Sequence, residues 1–148
     1  MEFFKGFPNP NDSLHEGHLD FIFHLKEVKM NFWTGKRKFA AYPVILTDKS
    51  WIKHNCRNDR NKQYLMTVYE LAGLYSLKLA DYFNMNSFSF PNAESFEEDF
   101  VEQSKQYKEL FEKQLENLDK DSNYGRDETK VEKWLINIQE KKYPYLKK

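Results

Sequence analysis

Hydrophobic and polar positions alternate and cluster along this chain in a way that divides it into five parts. Residues 1–18 form an irregular lead-in, punctuated between Phe7 and Gly17 by Pro8, Asn9, Pro10, Asn11 and Asp12. Residues 19–47 read as a strand pair. Phe21, Phe23 and Leu25 fall on one alternating face, Thr34-Gly35-Lys36-Arg37 supplies a turn, and Phe39 to Thr47 makes a second β-prone run. Pro43 lacks a backbone donor and therefore belongs on an edge or at a bulge. A polar loop follows from Asp48 to Asn61, with Trp51 and Ile52 as anchors. Residues 62–84 are apolar nearly all round, which places that helix at the centre of the fold. Ser87 to Asn92 crosses to an acidic amphipathic helix over 93–119, where Ser95 and Glu98 have capping-box spacing. After a loop from Asp119 to Tyr124, a last helix runs over 127–142. Val131, Trp134, Leu135 and Ile138 face inward, and Pro144 stops it. The expected fold class is α+β: an antiparallel hairpin or small sheet followed by three helices, in a single domain spanning 1–148.

Composition narrows the function classes. With 13 Phe, 9 Tyr and 3 Trp but only 5 Gly and 5 Pro, the chain carries ample material for a core and is not of disordered type. No apolar run approaches the roughly 18–20 residues that a transmembrane helix needs, so no membrane span is expected. Met1 is followed by Glu2, Phe3 and Phe4 with no basic stretch or apolar signal core. The expectation is a chain that stays in the cytoplasm or one whose leader has been removed. A lone cysteine, Cys56, precludes an intrachain disulfide. The 23 basic and 23 acidic residues balance, but residues 1–60 hold 10 basic and 7 acidic groups whereas 92–120 hold 4 and 9. Such a balanced chain is a poor polyanion binder, so nucleic acid is not an expected partner. The cluster Lys36-Arg37-Lys38 reads as a solvated hairpin turn.

Candidate chemistry is sparse. His15-Glu16-Gly17-His18 has two histidines at i, i+3 in a Pro- and Gly-rich segment, whereas zinc sites of the HExxH type need i, i+4 on a helix. His24 sits in a strand beside Phe23. His54 lies two residues before Cys56, a pairing that serves metal binding or a nucleophile–base dyad only with a third partner. There is no Gly-rich phosphate loop, no GxSxG elbow and no CxxC.

Four short motifs nevertheless recur in a familiar order. Phe4-Lys5-Gly6 lies near the start, Ser50-Trp51 follows the strand pair, an apolar helix comes next, and Tyr124 to Trp134 reads YGRDETKVEKW. In this order the chain resembles a family of uncharacterised bacterial, usually exported proteins with a zincin-like HExxH helix. That resemblance implies a zincin-like arrangement with a buried central helix, and export from the cell. The best register sets Tyr69-Glu70-Leu71-Ala72-Gly73 over HExxH, so Tyr69 and Gly73 replace both histidine ligands and only Glu70 survives. In the last motif one extra residue separates Tyr124 from Glu128-Thr129, and Val131 stands where the family has histidine. Since a zinc peptidase needs its ligands for the glutamate to activate water, the implied hydrolase would be inactive here.

The expected function is thus a non-catalytic binding or accessory domain on a degenerate metallopeptidase-like scaffold. Tyr69, Glu70, Gly73 and Glu128 would mark the relic site, with no cofactor and a peptide or protein as partner. Its cleft would lie between the hairpin edge and the central helix, where a free strand edge accepts a peptide by β-addition. Glu70, a carboxylate in an apolar helix, should meet a Tyr hydroxyl or a basic side chain there. Two alternatives stand beside it: a zinc-dependent hydrolase with metal held by His15, His18 or His54, and an interaction or oligomer subunit using the acidic helix.

Overall fold

A computed structural model describes residues 3–86 and 92–148 of the chain. It contains β1 (Gly17–His18), β2 (Phe21–Met30), β3 (Arg37–Ile45), β4 (Trp51–Ile52), a 3-10 turn at His54–Cys56, and the helices α1 (Asp59–Met85), α2 (Ala93–Asp121) and α3 (Glu128–Leu146). The fold is α+β, small antiparallel strand pairs followed by three helices. β2 pairs with β3 and β1 with β4, both antiparallel.

α1 is the centre. Its Leu71, Leu79 and Phe83 are almost wholly buried, and it packs against β3 on one side and α2 and α3 on others. Side chains of this size contribute roughly 1.5–3 kcal/mol each on burial. Phe21 and Phe23 of β2 turn inward, Phe21 meeting Phe111 of α2 edge to face at 4.8 Å between ring centroids. Lys108 of α2 seals that junction. Its ammonium lies 3.7 Å from the Phe21 ring centre, donates to the Phe21 carbonyl at 2.7 Å and pairs with Asp20 at 3.3 Å.

Several boundaries differ from the pattern-based expectation, each through an identifiable side chain. The hairpin turn begins at Asn31, whose carboxamide oxygen accepts from the amides of Trp33 and Thr34, so Phe32 and Trp33 belong to the turn and not to a strand. Asn58 accepts from Asn61 N at 2.9 Å and starts α1 three residues early. Asn92, not Ser95, caps α2, accepting from Ser95 N at 2.8 Å. α2 continues past Asp119 to Asp121. α3 runs through Pro144 to Leu146, the proline entering only its last turn while Tyr145 packs back on the core. The expected crossing over 87–91 lies outside the described residues.

Three of the four motifs behind the family resemblance have structural roles. Gly6 donates to the Ser50 carbonyl at 2.9 Å, and a methyl group on it would sit 2.7 Å from the Asp48 carbonyl oxygen. Ser50 is fully buried; its hydroxyl accepts from Asp20 N and donates to Asp20 O. In the connection between α2 and α3, Asn123, Tyr124 and Gly125 all have positive φ (51°, 57° and 82°). A methyl group on Gly125 would lie 2.5 Å from the Tyr64 ring.

Gly125→Ala is therefore expected to destabilise the protein by more than about 2 kcal/mol, through left-handed strain and a clash with an immobile ring. Gly35→Ala serves as the control: its φ is +68° but nothing lies within 4 Å, so it should cost only about 1–2 kcal/mol. Denaturant midpoints of the two variants decide the matter, and equal losses would refute the claimed contact.

Candidate functional site

In the run His15 to His18 each side chain has its own partners. His15 Nδ1 hydrogen-bonds Asp12 at 2.8 Å and its Nε2 hydrogen-bonds Asp119 at 3.1 Å. Glu16 accepts from Arg60 and from Asn61 (2.7 Å), and pairs with Arg126 at 3.4 Å. Gly17 enters β1 under Leu65, where a side chain would crowd the leucine methyl at 3.1 Å. His18 is exposed, its ring 6.1 Å from that of Trp51. Both nitrogens of His15 are thus committed to carboxylates, and His18 shares only a narrow crevice with it. His54 is exposed in the 3-10 turn, a separate location. Among the described residues no group of three or more His, Cys, Asp or Glu is placed to hold a metal ion.

Asp119 is the residue that sequence reading passed over. Only 6% exposed, it accepts from the Tyr64 hydroxyl through one oxygen and from His15 through the other. Burial and the Asp119 charge hold the Tyr64 phenol far above its ordinary pKa, so it remains a donor. The Asp119 hydrogen bond raises the His15 pKa against the opposing effect of burial. Tyr124 completes the cluster by meeting the His15 ring edge to face at 5.1 Å. The heptad-like spacing of α2 offered a signal, since Asp119 follows Leu118 on the inner side, but one carboxylate among nine acidic groups in 92–120 does not announce itself.

The relic-site candidates are not gathered in one place. Tyr69 lies on the α1 face toward the hairpin and the amino-terminal segment. Glu70 turns toward α3 and pairs with Lys142 at 2.6 Å, so the basic partner is present but the hairpin cleft is not its setting. Gly73 makes room for that bond: a methyl group there would sit 3.2 Å from the Lys142 ammonium. Glu128 is exposed in the first turn of α3, about 20 Å along that helix from Lys142. There it complements the helix dipole.

The concave feature near Tyr69 is an apolar groove of about 260 Å³, lined by Phe3, Phe4, Leu19, Ile45, Leu65 and Met66 besides Tyr69 and Lys62. Met66 and Tyr69 are 57% and 37% exposed, on a helix whose other large apolar side chains are mostly buried. The apolar character of α1 all round therefore has two causes, core burial and this open face. The adjoining β3 edge is closed to strand addition. Asn84 binds both backbone groups of Phe39, accepting from its amide at 2.6 Å and donating to its carbonyl at 3.1 Å. By strand alternation Pro43 presents the same edge, without a donor.

His15 gives the site a pH signature. Its folded pKa is raised above the ordinary 6.5, so its pairing stabilises the fold fully below that value and the contribution fades as pH rises through the folded pKa. Asp12 and Glu16 are held below 3.8 and 4.5, although burial alone would raise both. The hydrogen bonds from the His15 amide to Asp12 and from Asn61 to Glu16 lead the lowering effects. Their contribution is present above those values and is lost as pH falls through the folded pKa of each. His15→Ala should cost about 1–3 kcal/mol at pH 5–6, where a hydrogen bond to a charged group is lost. It should also flatten the stability profile on the alkaline side of 6.5. Urea unfolding across a pH series tests this, and a variant that keeps the wild-type alkaline decline would show that His15 is not its source.

Comparison with known proteins assigns nothing to this geometry: no family model, no curated protein and no solved structure matches the chain.

Proposed function

We propose that this chain is a non-catalytic binding domain on a degenerate metallopeptidase-like scaffold, and that its ligand is an apolar peptide segment seated in the groove beside Tyr69. The observation that carries the proposal is the groove itself: Met66 and Tyr69 expose apolar surface on the central helix, walled by Phe3, Phe4, Leu19 and Ile45. Pockets of this kind take ligands by apolar contact with a few polar groups at the rim, and Lys62 is the charged group available. Because Asn84 and Pro43 close the β3 edge, the peptide is held by its side chains and not by an added strand.

The non-catalytic part of the reading is supported by what Glu70 does. A zinc peptidase needs that carboxylate beside metal-bound water, whereas here it is engaged by Lys142 across the α1–α3 contact. The histidine-based alternative has less support, since His15 is held between two carboxylates and His54 stands apart.

Panning a random peptide library on the immobilised protein should enrich apolar sequences. Met66→Lys should weaken the enriched peptides about tenfold or more, by placing a charge against apolar ligand surface. Its thermal midpoint should move little, because Met66 is exposed. Enriched peptides that bind the variant unchanged would sink the groove as the site. A chelator added to the purified protein should leave the melting curve unaltered; a clear downward shift would instead favour a metal-dependent fold.

A further inference from the structure

The β2–β3 ribbon is open to solvent over its turn half, where Lys38 Nζ donates to the Lys148 carbonyl at 3.3 Å. Residues 26–38 are all exposed, on both faces, whereas Phe39 is buried. At the tip, Phe32 is 88% and Trp33 98% exposed. These are aromatic side chains at the outermost point of the chain, in a turn fixed by Asn31 and Gly35, with Asn31 N bonded to Lys36 O at 2.8 Å and Gly35 N to Asn31 O at 2.7 Å. Behind them the arm carries Lys26, Lys29, Lys36, Arg37 and Lys38 against the single acidic residue Glu27. Four of these cations, Lys29, Lys36, Arg37 and Lys38, share a recess of about 370 Å³ at the base of the turn, where Asn31 and Asn84 add amide groups and Asp81 and Lys148 an ion pair.

We propose that this arm docks the protein on an anionic lipid surface, with Phe32 and Trp33 entering the interface and the cations behind them meeting lipid phosphates. Three features favour a lipid surface over a protein partner. The apolar part is a two-residue tip, which cannot supply the roughly 1,000 Å² of contact that a specific protein interface requires. A fluid interface accepts exposed Trp and Phe without a shaped socket. The spacing also fits. Lys29 pairs with Lys38 in the ladder, and at about 3.3 Å per residue Phe32 and Trp33 reach up to roughly 10 Å beyond that rung. Interfacial segments bury their apolar faces to about 5–10 Å, which leaves the rung at headgroup depth. The acidic outer face of α2 is the complementary protein surface on a second copy, but Glu97, Glu98, Glu102 and Glu109 there line an open recess on one side of a single helix, with no socket for an indole. This docking would leave the Tyr69 groove free, because the groove lies at the opposite end of the ribbon, beside Ile45.

The test is co-sedimentation of the full chain with vesicles of phosphatidylserine and phosphatidylcholine in equal parts, and with phosphatidylcholine alone. Binding is expected to the mixed vesicles, falling steeply with added salt. Phe32→Ser/Trp33→Ser should lower partitioning about tenfold or more. Lys36→Gln and Lys38→Gln should each cost up to about fivefold. The melting temperature of the Ser/Ser variant should match that of the wild type, since neither ring packs on the body. Trp33 fluorescence, isolated by difference against Trp33→Phe, should shift to the blue on the mixed vesicles. Absence of binding to the mixed vesicles would overturn the proposal, as would equal binding by the Ser/Ser variant. So would concentration-dependent self-association, lost in the same variant, without lipid binding.

Discussion

One buried carboxylate holds the parts of this fold together. Asp119 is drawn inside by the Tyr64 hydroxyl from α1 and by His15 from the irregular amino-terminal segment. An uncompensated carboxylate at that depth would cost several kcal/mol, so each partner is needed and each fixes a different element. The turn that follows must then fold back over Tyr64, which only a glycine at 125 allows. Around this hub a second cluster, Glu16 with Arg60, Arg126 and Asn61, ties the same lead-in to α1 and to the α2–α3 connection. Arg126 adds a bond to the Leu14 carbonyl and Lys53 one to that of Asp12. The lead-in has almost no regular structure, yet its backbone and side chains are anchored at many points.

That arrangement explains which features were legible in the sequence. Periodicity carries the elements that bury apolar faces, because burial dominates their energetics. Phe21, Phe23 and Leu25 announced β2, and the α1 pattern announced the central helix. Element ends were less legible, because single capping side chains decide them. Asn31 and Asn58 each moved a boundary, and Asn92 took the cap expected of Ser95, by binding backbone amides that a hydrophobic pattern does not register. The candidate site was the least legible. His15 and Glu16 drew notice as a metal-like string, but their partners Asp119 and Arg60 lie 44 or more residues away in sequence, and Asp119 in turn accepts from Tyr64. Nothing local marks such pairings.

The family resemblance takes on a different meaning in this light. Phe4-Lys5-Gly6, Ser50-Trp51 and the segment from Tyr124 occupy positions where backbone sterics or buried hydrogen bonds restrict the choice of residue. Gly6 is confined by two carbonyl oxygens, Ser50 by the Asp20 backbone, and Gly125 by an aromatic ring. Residues under such constraint are set by the framework and say nothing of the chemistry it performs. Tyr69, Glu70 and Gly73 form a groove wall, an ion pair with α3 and the space that ion pair needs.

The same economy applies to exposed apolar surface. A chain of this size has enough buried aromatics to fold without Phe32, Trp33, Met66 or Tyr69, and leaving them in water contributes nothing to stability. They are not scattered. Met66 and Tyr69 share one groove, while Phe32 and Trp33 share one turn, and the two pairs lie at opposite ends of the β2–β3 ribbon. Each pair has a distinct electrostatic setting: a single lysine at the groove, and five cations against one carboxylate along the arm. An apolar groove with a sparse charge rim selects a ligand by shape and apolar area. A cationic arm with an aromatic tip selects a surface by charge and requires no shape. The two surfaces therefore differ in chemistry as well as in place, and neither occupies the other's end of the ribbon.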